Sequence, residues 1–307
     1  MRLLAIINPT AGREVLQKNI REMLSSLCNH EMYSKVELHD TQGLGHAYDL
    51  AYQRGRAYDS IVVVGGDGTV NEVVNGLMAA GHKTPIAIVA AGTVNDFAVA
   101  MSLPTEIEEI RDMLLQPRTL MIDLGKCGND YFFNVCAGGL LADVAYRTTR
   151  TSKTLLGRLA YILNAAVDLP IRLFQPLNLS IETDDEKIEG PMYLFMAANT
   201  RSVGGFRTIA PDATPEDGLL DIIAIRAEGP MIIGSMATLM LKTLNSSHVE
   251  HRNFYYKQSK KATVIELDTK ETLLDMDGEQ KGNLPATIEV VPSVIPLLVP
   301  HNYPDHN

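Results

Sequence analysis

Short apolar runs alternate with amphipathic stretches through the N-terminal part of the chain. Leu3 to Ile7, Lys35 to His39, Ser60 to Val64 and Pro85 to Ala90 are bounded by Gly, Pro, Asn or Asp and read as strands. Between them, apolar residues recur at helical spacing: Val15, Ile20, Met23, Leu24 and Leu27; Leu44, Ala47, Tyr48 and Ala51; Val70, Val73, Val74, Leu77 and Met78; Ile107, Ile110 and Leu114. Strand and helix in alternation predict a mainly parallel, doubly wound sheet. Ligands of such sheets gather beyond the carboxyl ends of the strands.

The pattern changes near residue 119. Leu120 to Leu124 and Tyr131 to Ala137 read as strands, and Leu155 to Leu169 as a helix. Short strands then follow over 177–183, 191–198, 219–226, 251–256, 262–267, 272–276 and 286–291, with a helix over about 230–243. Many short strands separated by turn signals predict a β-sandwich. The fold class is therefore α/β followed by β: a doubly wound α/β domain over 1–125, of the kind that can bind a nucleotide at its strand ends, and a β-sandwich over 126–291.

Four loops fall at the carboxyl ends of the predicted parallel strands: Asn8–Arg13, Thr41, Gly65–Thr69 and Gly92–Asn95. Each offers a hydroxyl or amide together with glycine. Gly65-Gly66-Asp67-Gly68-Thr69 stands at a strand-to-helix turn, where glycine lets backbone approach a bulky group and the helix start favours an anion. A phosphate meets both demands. Asp67 would repel a bare phosphate, so a divalent cation between them is expected. A tight turn with a surface Asp is the plainer reading; glycine on both sides of the Asp favours the phosphate loop.

Charge and composition narrow the class. The net charge of −10 lacks the basic footprint that nucleic acid requires. Cys28, Cys127 and Cys136 lack metal-ligand spacing and point to a reducing, intracellular compartment. The eight histidines show no metal-ligand spacing either. No apolar run approaches the length of a membrane span, and the N-terminus turns polar too soon for a signal peptide. Arg147, Arg150, Lys153 and Arg158 form a local basic run, read as a solvated helix face in preference to a lipid-surface patch.

Two acidic clusters lie in the second half, Pro211 to Asp221 and Leu274 to Glu279. A carboxylate beside glycine at a strand end is often only a solvated turn. If a nucleotide and a metal sit at the sheet edge, however, phosphoryl transfer needs a carboxylate to orient the acceptor hydroxyl and take its proton late. Asp277, with Gly278 beside it and Glu279 next, fits that role. The first cluster reads as an oxygen-ligand cation site.

Gly65-Gly66-Asp67-Gly68-Thr69-Val70-Asn71-Glu72, Asn8-Pro9-Thr10-Ala11-Gly12, Gly92-Thr93-Val94-Asn95-Asp96-Phe97-Ala98, Asp217-Gly218-Leu219-Leu220-Asp221 and Asp277-Gly278-Glu279 together resemble the diacylglycerol kinase family, in particular its soluble bacterial lipid kinases. The motifs follow the family's order and span nearly the whole chain. The resemblance implies that Asn8, Pro9, Thr10, Ala11, Gly12, Thr41, Gly66, Asp67, Gly68, Thr69, Val70, Asn71, Glu72 and Thr93 hold ATP. Asp67 would act on the catalytic Mg2+, Asp277 would be the general base, and Glu279 would support it. Asp217 would bind a structural Mg2+ with the backbone carbonyls of Thr214 and Leu219. A final segment, about 292–307, would return to the first domain. The sequence departs from the family pattern at Ala11, Arg13, Ala90, Ala91 and Val99.

The expected activity is ATP-dependent phosphorylation of diacylglycerol or a related lipid alcohol, giving phosphatidic acid and ADP. The enzyme would be cytoplasmic and peripheral at the inner membrane face, meeting its lipid at the bilayer surface. The resemblance also allows a homodimer. Two rivals are an NAD kinase-like phosphotransferase, which shares the Gly-Gly-Asp-Gly-Thr loop, and a nucleotide or lipid sensor without turnover. The Asp277 and Asp217 motifs favour the lipid kinase.

Overall fold

The computed structural model describes residues 1–139, 176–204, 208–227, 251–268 and 271–304. The expected helices over 155–169 and 230–243, and the basic run at Arg147 to Arg158, lie outside the described residues. The chain forms two compact units, Met1–Ile122 with Ser293–Asn307, and Asp123–Pro292.

In the first unit, β1 (Arg2–Ile7), β2 (Lys35–Asp40), β3 (Ser60–Gly65) and β4 (Ile86–Ala90) pair in parallel in the order β2-β1-β3-β4. Strand order reverses between β1 and β3, and the loops leaving these two strands therefore flank the crevice where doubly wound sheets take ligands. Side chains alternate faces along each strand. Leu3, Ala5, Ile7, Val62 and Val64 pack against α1 (Glu14–Ser26) and α5 (Ile107–Leu115), through Ile20, Met23, Leu24, Ile110 and Leu114. The intervening Leu4, Ile6, Ile61 and Val63 are fully buried too, as a sheet covered on both faces requires. α3 (Asp67–Ala79) follows β3 directly, and α2 (His46–Arg54) packs on it; at Gly76 a Cβ would lie 2.4 Å from the Tyr48 carbonyl oxygen, so glycine permits that approach.

Two apolar residues expected on helix faces are exposed instead. Leu44 is 91% exposed because Gly45, at φ 83, delays the start of α2 to His46. Val15 is 70% exposed, and buried Gln17 takes the inward position on α1.

The second unit is a β-sandwich built mainly of antiparallel strands. β7 (Val135–Gly139), β8 (Leu177–Thr183), β9 (Lys187–Ala198), β10 (Leu220–Arg226), β11 (Phe254–Ser259), β12 (Lys261–Glu266), β13 (Leu273–Met276) and β14 (Glu279–Asn283) join through β13-β7-β9-β8-β12, with β10 between β9 and β11. Period-2 alternation divides its side chains between two cores. Val135, Ala137, Leu194, Met196, Ile223 and Ile225 enter one, and Cys136, Phe195, Ala197, Ile222 and Ala224 the other.

Several strands differ from their sequence-based bounds: β9 begins at Lys187 and not at 191, and the stretch Leu120 to Leu124 extends to Pro117–Cys127. The stretch Tyr131 to Ala137 splits into β6 (Asp130–Phe132) and β7, because the intervening Phe133 and Asn134 amides turn toward Asp277. β11 begins at Phe254, where its ladder with β10 starts, and not at His251. Positions 286–291 and the final apolar run form a single strand, β15 (Ala286–Pro300), which pairs early with β12 in the second unit and later, at Leu297, with Ile86 of β4 in the first.

Candidate active site

The loops of the first unit converge at the carboxyl ends of the parallel strands. Asn8, just past β1, donates its backbone N–H to the Val64 carbonyl at 2.8 Å and its side-chain amide to the Thr69 hydroxyl at 3.2 Å. The Asn8 Oδ1 accepts the Thr10 N–H at 3.0 Å and the Thr10 hydroxyl at 2.8 Å, which curls the loop into an Asx turn. The Thr41 N–H donates to the Ile7 carbonyl at 2.8 Å and draws the β2 loop to the same edge.

Glycine sets the spacing of these loops. A Cβ at Gly92 would lie 2.6 Å from the Gly66 Cα and 2.6 Å from the Asn95 Oδ1. A Cβ at Gly12 would lie 3.0 Å from the Ala91 carbonyl oxygen. Asn95, in the left-handed region at φ 54, accepts the Gly92 N–H and donates to the Gly92 carbonyl, both at 2.9 Å. Bare backbone thus lines a cradle that side chains would fill.

The first turn of an α-helix presents N–H groups that no carbonyl of the helix reaches. In α3 this turn begins at Asp67, whose carboxylate accepts the Asp96 N–H at 3.3 Å. The expected ATP residues sort by exposure. Asn8 to Gly12, Thr41, Gly66, Asp67, Gly68 and Thr93 reach solvent, whereas Thr69, Val70 and Asn71 are buried. Glu72 is engaged elsewhere: its two carboxylate oxygens accept the Gly45 N–H at 2.9 Å and the Ala47 N–H at 3.0 Å, capping α2 from outside.

In the second unit, Asp277 and Gly278 form the turn between β13 and β14, at φ 51 and φ 87. Positive φ at both central residues is the type I′ hairpin, for which Asp-Gly is well suited. The turn accounts for the sequence pattern, but the carboxylate does more. Its Oδ2 accepts the Phe133 N–H at 2.9 Å, and its Oδ1 accepts the Asn134 and Val135 N–H groups at 3.0 and 2.9 Å. The Asp277 N–H returns to the Val135 carbonyl at 3.0 Å. Backbone from a distant part of the chain thus fixes this carboxylate. Glu279 pairs with Lys281 at 3.1 Å.

The 210–221 loop is ordered by Gly218, at φ 73, and by an Asx turn in which Asp217 accepts the Leu219 N–H at 2.9 Å. Burial of one side of the Asp217 carboxylate, with Asp123 nearby adding repulsion, pushes its pKa up. Among the described residues, no three His, Cys, Asp or Glu side chains cluster as a metal site. A cation here would draw on Asp217 and on backbone carbonyls such as those of Thr214 and Leu219. This all-oxygen set suits Mg2+, which is held by few carboxylates and keeps several waters.

Asp123 escaped sequence reasoning. It is buried within β5 (Pro117–Cys127), where its carboxylate accepts the Gly218 N–H at 2.7 Å and its own N–H donates to the Pro215 carbonyl at 2.8 Å. The available signal was a carboxylate inside the apolar stretch Leu120 to Leu124, since a buried charge needs a partner.

Residues 2–127 match the family model described as the diacylglycerol kinase catalytic domain. Residues 134–299 match that of the YegS C-terminal NAD kinase beta sandwich-like domain. A diacylglycerol kinase of Staphylococcus saprophyticus subsp. saprophyticus is 31% identical over 298 residues, covering 97% of this chain and 95% of its own. One from Bacillus subtilis (strain 168) is 33% identical over 283 residues, covering 91% and 90%. Among solved structures, a Bacillus anthracis str. Sterne protein proposed to be a diacylglycerol kinase superposes with a TM-score of 0.85 at 25% identity, covering 99% of this chain and 98% of that one. The chain therefore belongs to the diacylglycerol kinase family. Membership makes it a kinase, and the family implies ATP as phosphoryl donor.

Proposed function

We propose that this kinase transfers the γ-phosphoryl group of ATP to the hydroxyl of diacylglycerol or a related lipid alcohol, giving phosphatidic acid and ADP. The observation that carries the reading is the Asp277 carboxylate, fixed by three backbone N–H groups at a hairpin tip. A rigidly oriented carboxylate is what a hydroxyl nucleophile needs, because phosphoryl transfer depends on positioning more than on covalent help. The lipid oxygen attacks the γ-phosphorus, the bond to the β-bridging oxygen breaks, and the lipid proton passes to Asp277 as that oxygen leaves with ADP. Glu279 supports Asp277 from the start of β14.

In this reading the first unit is the ATP-binding catalytic domain, with the segment after about residue 292 returning to it, and the second is the lipid-substrate domain. The loops at Asn8–Gly12, Thr41, Gly66–Asn71 and Thr93 hold the nucleotide, the exposed members by contact and the buried ones by shaping the turn, while Glu72 serves it only indirectly, by capping α2 beside the Thr41 loop. Asp67 acts on the catalytic Mg2+, while Asp217 with the Thr214 and Leu219 carbonyls holds a structural Mg2+. When bound, such an ion neutralises charge developing on the phosphates. No helix among the described residues is long and apolar enough to cross a membrane. In this reading the lipid is met at the bilayer surface, at the inner face of the membrane. A homodimer is compatible with this arrangement.

Radiolabel transfer from ATP, measured over a lipid panel in mixed micelles with NAD as a competing acceptor, tests the proposal. Diacylglycerol should be labelled and NAD should not, and Asp67→Ala should abolish metal-dependent transfer. Label on NAD alone, or ATP binding without transfer to any lipid, would reject it.

A further inference from the structure

Two peptide units supply the N–H groups that meet the Asp277 Oδ1, Phe133–Asn134 through the Asn134 N–H and Asn134–Val135 through the Val135 N–H. A trans peptide is planar, with its C=O and N–H directed oppositely. Whatever grips the carbonyl therefore aims the amide. Both carbonyls are gripped by Asn199, which lies just past β9. Its side-chain Nδ2 donates to the Phe133 carbonyl at 3.0 Å, and its backbone N–H donates to the Asn134 carbonyl at 2.8 Å. Hydrogen bonds in series also polarise one another, so the same grip strengthens the two donors that Asp277 receives.

The rest of the Asn199 side chain fits this purpose. It is 1% exposed, and its Nδ2 also donates to the Asp123 carbonyl at 3.0 Å. Its Oδ1 is buried with no hydrogen-bond partner among the described residues. An amide with both protons used and its acceptor idle is placed for its donors. Next to it, the buried Thr200 hydroxyl meets the Asn134 Oδ1 and holds the same residue by its side chain.

We infer that Asn199 is a positioning residue for turnover, acting through the Asn134 and Val135 amides on the Asp277 carboxylate without touching substrate. The inference rests on the reading of Asp277 as proton acceptor. Asn199→Ala removes the side-chain donor; Asn199→Asp keeps the shape but supplies no donor when ionised. Both should lower kcat roughly 10- to 100-fold, the scale of a misplaced catalytic group, with KM for ATP unchanged. The amide proton resonance of Asn134, drawn downfield by the carboxylate and aimed through the lost side-chain bond, should move upfield in both variants, and that of Val135, whose peptide keeps the Asn199 backbone N–H, should move less. Ser259→Ala, which removes a buried hydroxyl bonded to Asp184 and Lys261 in the same unit, is the control for lost stability. It should lower Tm while leaving kcat and both resonances in place. A control-like Asn199→Ala, with Tm lowered but resonances and kcat unmoved, would overturn the inference. If Asp277→Asn keeps full turnover, the reading of Asp277 fails; if it abolishes turnover while Asn199→Ala stays within twofold of the native kcat, only the present inference fails.

Discussion

Asp67 and Asp277 both sit beside glycine at the end of a strand, yet the backbone treats them differently. Asp67 opens an α-helix, in a turn whose neighbours Gly66 and Gly68 keep side chains away from the helix start. What that turn offers a ligand is largely main chain, and Gly66 and Gly92 approach so closely that a single added Cβ would be 2.6 Å from backbone. Asp277 is itself the strained residue, in the left-handed region, and its side chain is the one that backbone N–H groups hold. The first turn is built to receive charge, and the second to fix a charge already present. In the proposed reading these similar sequence marks have opposite duties, one to cradle phosphate and the other to orient the attacking hydroxyl.

The largest expected effect tests the second half of this contrast. Asp277→Asn keeps the side chain's shape while removing its basicity, so kcat should fall about 10²- to 10⁴-fold, the range of a positioned general base. ATP affinity by calorimetry should stay within twofold. A kcat loss below tenfold would mean that the three N–H groups merely close a hairpin.

Gly92→Ala tests the first half. The new methyl would meet the Gly66 backbone and the Asn95 amide, which cannot both retreat. Overpacking of this kind costs about 1–3 kcal/mol, or up to roughly a hundredfold in ATP affinity, with kcat at saturating ATP less affected. ATP affinity equal to that of the native protein would show that the loops do not converge on the nucleotide.

The contrast also explains what the sequence could reveal. The doubly wound sheet, its helices and the glycine loops were legible because each depends on residues close in sequence: an apolar run, a helical period, a turn. Convergence of the loops followed from the rule for parallel sheets. The second unit yielded less. Asp277 was visible as an acidic turn, but its anchors at Phe133 to Val135 lie more than a hundred residues away, and no local pattern joins them. Asn199 and Asp123 act through main-chain contacts set by strand register, which composition and spacing do not encode. Glu72 was read by resemblance as a nucleotide residue, whereas its hydrogen bonds show a cap on α2. Val15 and Leu44 were placed on buried faces because helical spacing does not reveal where a left-handed glycine delays a helix or which face the sheet covers.

A smaller effect belongs to the 210–221 loop. Asp221 is almost wholly buried, and burial raises its pKa to about 6, opposed by the Tyr256 hydroxyl and Gln258 and aided by repulsion from Asp217 and Asp212. A folded-state pKa above the unfolded value near 3.9 means that the stability from this group is complete below about pH 4 and is lost as pH rises through 6. Asp221→Asn should therefore raise stability by about 2–3 kcal/mol at pH 8 in chelator, with the gain fading below pH 5. Thermal melts across that range check it, and a gain independent of pH would place the charge elsewhere.

The smallest effect decides what Glu72 does. α2 starts after a left-handed Gly45 and has no side-chain cap of its own, so Glu72 supplies from α3 the acceptor that Ser or Asp would ordinarily provide. Losing a cap, together with a carboxylate at a helix N-terminus, costs about 1–2 kcal/mol. Glu72→Ala should lower Tm by a few degrees, and Glu72→Gln, which retains one acceptor oxygen, by about half as much. ATP affinity should change little, through slackening of the Thr41 loop alone. A residue that contacted the nucleotide directly would give the reverse pattern, an unchanged Tm with ATP affinity lowered tenfold or more. Glu72 would then belong with the receiving turn, and α2 would need another explanation for its start.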